Sequence, residues 1–195
     1  MAKAAAAKAS RKSAEKSAIV SLKVTLNGIK PPIWRRLLVA ESMTLAGLHE
    51  AIQTGMGWSG GHLHSFDIDG EQYGNPKEFT DVADQRRITL ARLVKSGVKR
   101  FTYTYDFGDD WEHLVVIEKI LSHEEGQVYP LCSAGARACP PEDSGGPWGY
   151  PELLDVLADP DHPDHAEQSE WVEEGFDPEA FSLGEINARL KARFA

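Results

Sequence analysis

Apolar and polar residues alternate along five short segments of the first 121 residues, and a period of two is the pattern of half-buried β-strands. The segments cover residues 19–26, 33–40, 63–70, 99–107 and 112–121. The sequence NGIKPP separates the first two segments and is rich in turn-forming residues. We therefore predict five strands, of which the first two form a hairpin.

A helical period replaces the alternation between the second and third strands. Leu45, Leu48 and Ile52 recur at helical spacing, and Thr44 has the side chain of an N-cap, so the pattern predicts a helix over residues 45–56. Shorter helices are predicted between Thr89 and Gly97, from Pro151 to near Asp159, over residues 163–174, and after the capping box of Ser182 and Glu185.

The order of these elements predicts an α+β protein. We expect a mixed β-sheet with one main packing helix, in a β-grasp-like arrangement, followed by a long Gly/Pro/Cys loop over residues 126–149 and by C-terminal helices. Residues 18–195 are expected to form a single domain, with residues 18–121 as the sheet core and residues 122–195 as the loop and helical part.

Charge divides the chain into two parts. Residues 1–17 carry five basic and one acidic side chains, a net charge of +4, whereas the rest carries 16 basic and 29 acidic side chains, a net charge of −13. Phosphate contacts dominate non-specific nucleic-acid binding. The acidic body therefore disfavours DNA as a partner, and residues 1–17, expected to be a disordered basic tail, are the part that could touch phosphates. The alternative for this low-complexity tail is a solubilising extension.

Two expectations about location follow from the apolar residues. No apolar run approaches the roughly 20 residues that a membrane-spanning helix needs, and the N-terminus has no apolar block of the secretory type. We therefore expect a cytoplasmic protein without a membrane partner.

The segment YTYDFGDDWEH, residues 103–113, combines aromatic, acidic and imidazole side chains around a predicted hairpin turn at Asp109–Asp110. In the expected register, Asp106 faces His113 across the two strands. A carboxylate beside an imidazole orients the ring, as a metal ligand or a general base requires. The alternative is a solvated surface pair. We also expect that either Arg35 or Arg36 is partly buried and pairs with this acidic turn. A phosphate or nucleic-acid contact of Arg35 or Arg36 is the alternative.

A second imidazole pair precedes the third predicted strand. His62 and His64 would share one face of a strand, because side chains alternate with a period of two. With Asp106 and His113 from a neighbouring strand, they form a candidate site for a divalent metal. The alternative is a pair of polar residues on a half-exposed strand.

The segment CSAGARACPPEDSGGPWGY, residues 132–150, holds the only two cysteines, Cys132 and Cys139. Their spacing is neither CxxC nor half of a zinc ribbon, and two free thiols are the default in a reducing compartment. Arg137 could lower the pKa of a nucleophilic thiol. Pairing through a metal or a disulfide and anchoring of the loop are the other interpretations.

Several common motifs are absent from the sequence: the Walker loop, GxGxxG, GxSxG, HExxH and a basic helix-turn-helix. Enzymatic activity is left open, and the leading interpretation is a binding or accessory protein without catalysis. Its surface would combine the turn with the cysteine loop and meet a protein partner or a small ligand. The residues assigned to this surface are Trp58, Asp106, Asp109, Asp110, Trp111, Cys132, Arg137, Cys139, Glu142 and Asp143.

Five motif blocks together resemble one family. They are, in chain order, GIKPPIWRR, MGWSGGHLHSF, YDFGDDWEH, GARACPPEDSGG with GYPELL, and FDPEAFSLGEINARL. This chain resembles the plasmid pRiA4b ORF-3-like family over residues 18–192. The resemblance implies a compact α+β protein associated with plasmids and transposons, in some members as a passenger or resolvase-like protein. It supplies no catalytic residues, and the chain shows neither the nucleophilic serine among arginines nor the basic segment that a serine recombinase needs.

Overall fold

The computed structural model describes residues 17–195. The tail expected over residues 1–17 lies outside the described residues apart from Ser17, so that expectation stays untested. Within residues 17–195, no helix combines the length and the apolarity that crossing a bilayer requires.

One eight-stranded sheet organises the fold. Its strands are β1 (Ile19–Leu26), β2 (Trp34–Ala40), β3 (His64–Ile68), β4 (Glu71–Gly74), β5 (Ala83–Asp84), β6 (Arg100–Tyr105), β7 (Trp111–Leu121) and β8 (Leu131–Ala136). The spatial order is β5-β4-β3-β6-β7-β1-β2-β8. Every neighbouring pair is antiparallel except β4 and β5.

The helices are α1 (Leu45–Met56), α2 (Leu90–Lys95), α3 (Gly146–Ala158), α4 (His165–Trp171) and α5 (Leu183–Phe194), with a 3₁₀ turn at Gln85–Arg87. Thr44 caps α1 as predicted, since its side chain accepts a hydrogen bond from the backbone N–H of Gly47. The apolar side chains of β1 and α1 are buried in one common core. The α+β class is therefore confirmed, whereas the β-grasp-like arrangement is not.

The predicted loop over residues 126–149 contains regular structure. Strand β8 pairs with β2 inside it, and α3 begins at Gly146, five residues before Pro151. Strand β8 has the sequence LCSAGA, whose small side chains give no alternation of large apolar and polar residues. A Cβ added to Gly135 of this strand would overlap the ring of Phe181. The absence of a side chain at Gly135 therefore allows the strand and Phe181 to pack closely.

The register of the β6–β7 hairpin differs from the prediction by three residues. Tyr105 pairs with Trp111 and Tyr103 pairs with His113. The turn spans residues 106–110, and Asp106 leaves the strand with a left-handed φ of 57°. An odd shift moves every side chain of one strand to the other face. The expected pairing of Asp106 with His113 is therefore wrong, and His113 points into the core.

Candidate functional site

Three loops meet at one end of the sheet, and we call this place the three-loop junction. It comprises residues 57–63 between α1 and β3, residues 106–110 between β6 and β7, and residues 137–145 between β8 and α3. The indole N–H of Trp58 donates to the carbonyl of Pro140 over 2.9 Å. The backbone N–H of Gly145 donates to a carboxylate oxygen of Asp109 over 3.0 Å. The predicted turn and cysteine loop therefore form one surface.

Glu142 links the first and third loops to the sheet. Its Oε1 accepts hydrogen bonds from the backbone N–H of Ser59 at 2.8 Å and from the Ser59 hydroxyl at 3.0 Å. The hydroxyl of Tyr105 lies 3.1 and 3.0 Å from the two carboxylate oxygens. Burial, together with the charge of Glu142, raises the pKa of Tyr105. The tyrosine therefore stays protonated and serves as a donor that holds the carboxylate.

His62 is surrounded by carboxylates at the three-loop junction. Its Nδ1 lies 3.6 Å from Oδ2 of Asp106. Its Nε2 lies 3.2 Å from Oδ1 of Asp143 and 3.8 Å from Oε2 of Glu142. One nitrogen of His62 and one oxygen each from Asp106 and Asp143 all lie within 4.8 Å of one another. About a third of the imidazole side chain is exposed, so the group is open to solvent.

The backbone directs these carboxylates toward His62. Asp106 has a φ of 57° and Asp143 a φ of 56°, a conformation that few residues with a side chain adopt. Oδ1 of Asp106 accepts hydrogen bonds from the backbone N–H groups of Gly108 at 2.9 Å and Asp109 at 3.4 Å. Its other oxygen is left to face His62. Unusual backbone conformations of this kind cluster at functional sites.

The other two histidines of the predicted metal set lie in the core. The ring of His64 stacks on the ring of His49, with centroids 3.5 Å apart, and its Nε2 lies 3.0 Å from Oε1 of Gln85. His113 is fully buried, and its Nδ1 lies 3.2 Å from the carbonyl oxygen of Tyr103. Burial lowers the pKa of His113 to about 4.

Of the four residues predicted to bind a metal, the structure brings together only His62 and Asp106. His64 and His113 do not join the group that these two form with Asp143. His64 points into the core from β3, whereas His62 precedes the strand and turns toward the junction. The predicted HxH face required both histidines to lie on one extended strand.

The remaining acidic and aromatic candidates have separate positions. Asp110 has a left-handed φ of 55° and an exposed side chain in the turn. Trp111 is fully buried, and its ring packs near those of Trp58 and Tyr150. It therefore lies in the core beneath the junction.

The cysteine loop holds two free thiols. Cys132 is buried and Cys139 is half-buried, and burial raises the pKa of each thiol. The Arg137 guanidinium does not contact either thiol. It forms an ion pair with Glu179 at 2.6 Å and donates a hydrogen bond to the carbonyl of Pro31 at 2.9 Å. Neither cysteine has the environment of a nucleophilic thiolate.

The expected pairing of an arginine with the acidic turn is wrong. Arg36 pairs with Glu118 of β7 at 2.6 Å. Arg35 is the buried arginine, with 3% of its surface exposed. It donates to main-chain carbonyl groups, those of Trp34, Gly55 and Ala136.

Sequence reasoning missed the contacts of Ser59 and of the Tyr105 hydroxyl at the junction. It also missed the buried polar group around His64 and Tyr103, which includes His49, Gln53 and Gln85. The strand pattern assigned Tyr105 to the core, and this is correct for its ring, but the position of its hydroxyl beside Glu142 depends on a loop 37 residues away. The burial of His49 could have been predicted, because it lies four residues after Leu45 and therefore on the apolar side of α1.

The fold and this cluster define an α+β protein with one antiparallel-rich sheet and an imidazole–carboxylate group at a junction of loops. The chain belongs to the plasmid pRiA4b ORF-3-like family, whose pattern matches residues 18–185. It is 41% identical over 175 residues to the uncharacterised protein y4hQ of Sinorhizobium fredii, covering 88% of this chain and 90% of that protein.

A solved structure has the same fold. The crystal structure of the protein of unknown function MM3350 from Methanosarcina mazei Go1 matches with a TM-score of 0.80 and 41% sequence identity. The match covers 86% of this chain and 96% of that chain. The similarity therefore extends over nearly the whole of both relatives.

Proposed function

We propose that this protein binds a divalent transition-metal cation at the three-loop junction, through His62, Asp106 and Asp143. One observation carries the proposal: a ring nitrogen and two carboxylate oxygens lie within 4.8 Å of one another. Imidazole combined with carboxylate is a donor set suited to zinc, manganese or iron. This ligand set replaces the predicted one, from which it retains His62 and Asp106.

The surroundings of the three residues favour a prepared site. Asp106 is 7% exposed, and its Oδ1 accepts hydrogen bonds from backbone N–H groups. These bonds fix the carboxylate, so that Oδ2 faces His62 before any cation binds. Glu142 is held by Ser59 and lies near the same imidazole. Three protein ligands leave coordination positions for water or a substrate, which is the arrangement of catalytic metal sites. The proposal therefore includes both a binding protein and a metal-dependent enzyme.

Metal titration of purified protein tests the proposal. We expect one equivalent of Zn²⁺ or Mn²⁺ to bind the metal-stripped protein in isothermal titration calorimetry. Replacing a residue that only hydrogen-bonds to a metal ligand lowers metal affinity by about 10–100-fold. His62→Ala and Asp106→Asn alter the ligands themselves, so each should lower the affinity by at least about 100-fold.

Asp110→Asn is the matched control, because Asp110 is an exposed aspartate of the same turn with the same left-handed backbone, and asparagine tolerates that conformation. Its affinity should equal that of the unaltered protein. Absence of binding by the folded, unaltered protein contradicts the proposal, as does an equal loss in Asp110→Asn and Asp106→Asn.

The cellular role is a broader part of the proposal. We infer an accessory binding protein that works with mobile DNA, on the basis of the plasmid named in the family description. The net charge of −13 beyond residue 17 disfavours DNA contact there, so residues 1–17 are the proposed DNA-contacting segment. The surface around the junction would then meet a protein partner or a small ligand.

A further inference from the structure

Arg35 carries a buried charge that no carboxylate neutralises within residues 17–195. Its Nε donates to the carbonyl of Gly55, and its Nη1 donates to two further carbonyl groups, each over 2.9 Å. Its Nη2 makes no hydrogen bond to the described residues and is not enclosed by them, so it is open to solvent. Taking a charge out of water without an opposite charge is costly. Nη2 is therefore the free donor of a largely buried cation.

A cleft of about 640 Å³ lies against this side chain. Arg189 of α5 lines the same cleft and forms no ion pair with the described part of the chain. Polar and apolar groups share the other walls about equally, and the apolar part includes Met56, Trp58, Pro140, Phe176, Phe181 and Ile186. A volume of this size that combines apolar side chains with a few convergent polar groups is typical of small-molecule sites.

The rim of the cleft limits how much negative charge it accepts. Glu173 and Glu185 line the cleft and are exposed, and they would repel an anion of high charge. Glu142 also lines it, but its carboxylate is held by Ser59 and Tyr105 on the junction side. Arg35 is the buried guanidinium of the cleft and Arg189 the exposed one. The glutamates at the rim would repel a ligand with one negative charge less than a ligand with several.

We infer that this cleft binds a small organic carboxylate with an aromatic or similarly apolar body. The carboxylate accepts hydrogen bonds from Nη2 of Arg35 and from Arg189, and charge-assisted bonds of this kind are about twice as strong as neutral ones. The apolar body packs against Trp58 and Phe176. The Arg35 guanidinium lies over the ring of Phe181, 5.1 Å from its centroid, a cation–π contact that stabilises the charge.

The site goes beyond the proposed metal site and does not depend on it. Trp58 and Glu142 border both places, but the arginines take no part in the group formed by His62, Asp106 and Asp143. Titrations in the presence of EDTA therefore test the carboxylate site with no metal bound.

Benzoate is the probe, and calorimetry on the full chain in EDTA is the measurement. We expect saturable binding of one benzoate, at least about tenfold weaker binding of uncharged benzamide, and weaker binding of inorganic phosphate than of benzoate. Arg189→Gln should weaken benzoate by about tenfold or more, since a hydrogen bond to a charged group is worth that factor.

Arg193→Gln is the matched control: Arg193 lies one turn further along α5, pairs with Glu50 and does not line the cleft. It should bind benzoate as the unaltered protein does. Arg189 is exposed, so its replacement leaves the core intact. A loss of benzoate affinity in Arg189→Gln therefore does not result from unfolding. No benzoate binding, equal binding of benzamide, or equal loss in both arginine variants overturns the inference.

Discussion

Residues with a left-handed backbone concentrate at the three-loop junction. Of the five residues other than glycine with a positive φ among those described, four lie there: Asp106, Asp110, Arg137 and Asp143. Aspartate tolerates this conformation better than most residues because its short side chain bonds to nearby backbone groups. The direction of the carboxylates is therefore set by the backbone of each loop, and the loops fix one another.

Gly146, the first residue of α3, shows how closely the end of the third loop approaches the turn at 106–110. Its φ is +68°, and a Cβ there would overlap the backbone carbonyl oxygen of Asp109. Backbone cannot yield as a flexible side chain can. We predict that Gly146→Ala lowers the free energy of unfolding by about 3 kcal/mol or more, measured by urea denaturation.

Gly175→Ala is the control for this prediction. Gly175 has a similar φ of +78°, but nothing lies within 4 Å of the added Cβ. The control variant should lose only about 1–2 kcal/mol, the cost of the left-handed conformation itself. Equal losses in the two variants would show that the approach of Gly146 to the turn is not what makes the difference.

At the scale of elements, α1 is attached to the sheet partly through uncharged histidines. His49 of α1 stacks on His64 of β3, and its Nδ1 lies 2.7 Å from the hydroxyl of Tyr103. Burial, followed by the nearby His64, lowers the pKa of His49 to about 3, and burial lowers the pKa of His64 as well. The contact requires both rings to be neutral.

Acid should therefore loosen this contact. Below pH about 6.5 the unfolded chain binds protons at its histidines, whereas folded His49 and His113 resist protonation until pH about 3 and 4. Proton uptake by the unfolded state destabilises the fold, so the free energy of unfolding should fall as the pH drops from about 6.5 toward 4. Denaturant titrations at a series of pH values measure this slope.

The variant His49→Asn keeps a hydrogen-bonding group near Tyr103 but cannot take up the proton. We predict a shallower fall in stability with acid than in the unaltered protein, by about one proton's contribution. His165→Asn is the control, since His165 lies in α4 and outside the buried cluster. If His49→Asn and the unaltered protein have the same pH dependence, His49 is not a source of acid sensitivity.

Elements with a local pattern could be predicted, and pairings that depend on distant contacts could not. The alternation in β1 and the helical spacing with Thr44 in α1 gave the bounds that the structure has. Strand β8 escaped prediction because its small side chains have no period of their own, and its partner β2 lies about 100 residues earlier.

The same distinction between local pattern and distant contact applies to the residues of the candidate site. Asp106 and His62 could be selected from their motifs, since acids and imidazoles at turns are candidates wherever they lie. The register of β7 could not, because the five-residue turn is shaped by Asp106 in a left-handed conformation and by the bond from Gly145 to Asp109, 36 residues apart. The partnership of His62 with Asp143 likewise depends on a loop far along the chain.

At the scale of the whole molecule, the charge distribution makes its own prediction. If the protein contacts DNA, the +4 charge of residues 1–17 must provide the attraction, because the rest has a net charge of −13. Deleting residues 1–17 should then abolish any DNA affinity that falls steeply with salt, as measured by fluorescence anisotropy. Absence of binding by the full chain even at low salt would refute a role in DNA contact.

The five-residue turn at 106–110 also limits which insertions and deletions the β6–β7 hairpin can accept. Strand β7 runs through the middle of the sheet, with β6 on one side and β1 on the other. A slip of β7 by one residue against β6 would present Glu112 and Leu114 to the core in place of Trp111 and His113. A slip by two residues would preserve the faces. An insertion or deletion of one residue should therefore be accepted only where the turn or a β-bulge absorbs it and the register of β7 is kept.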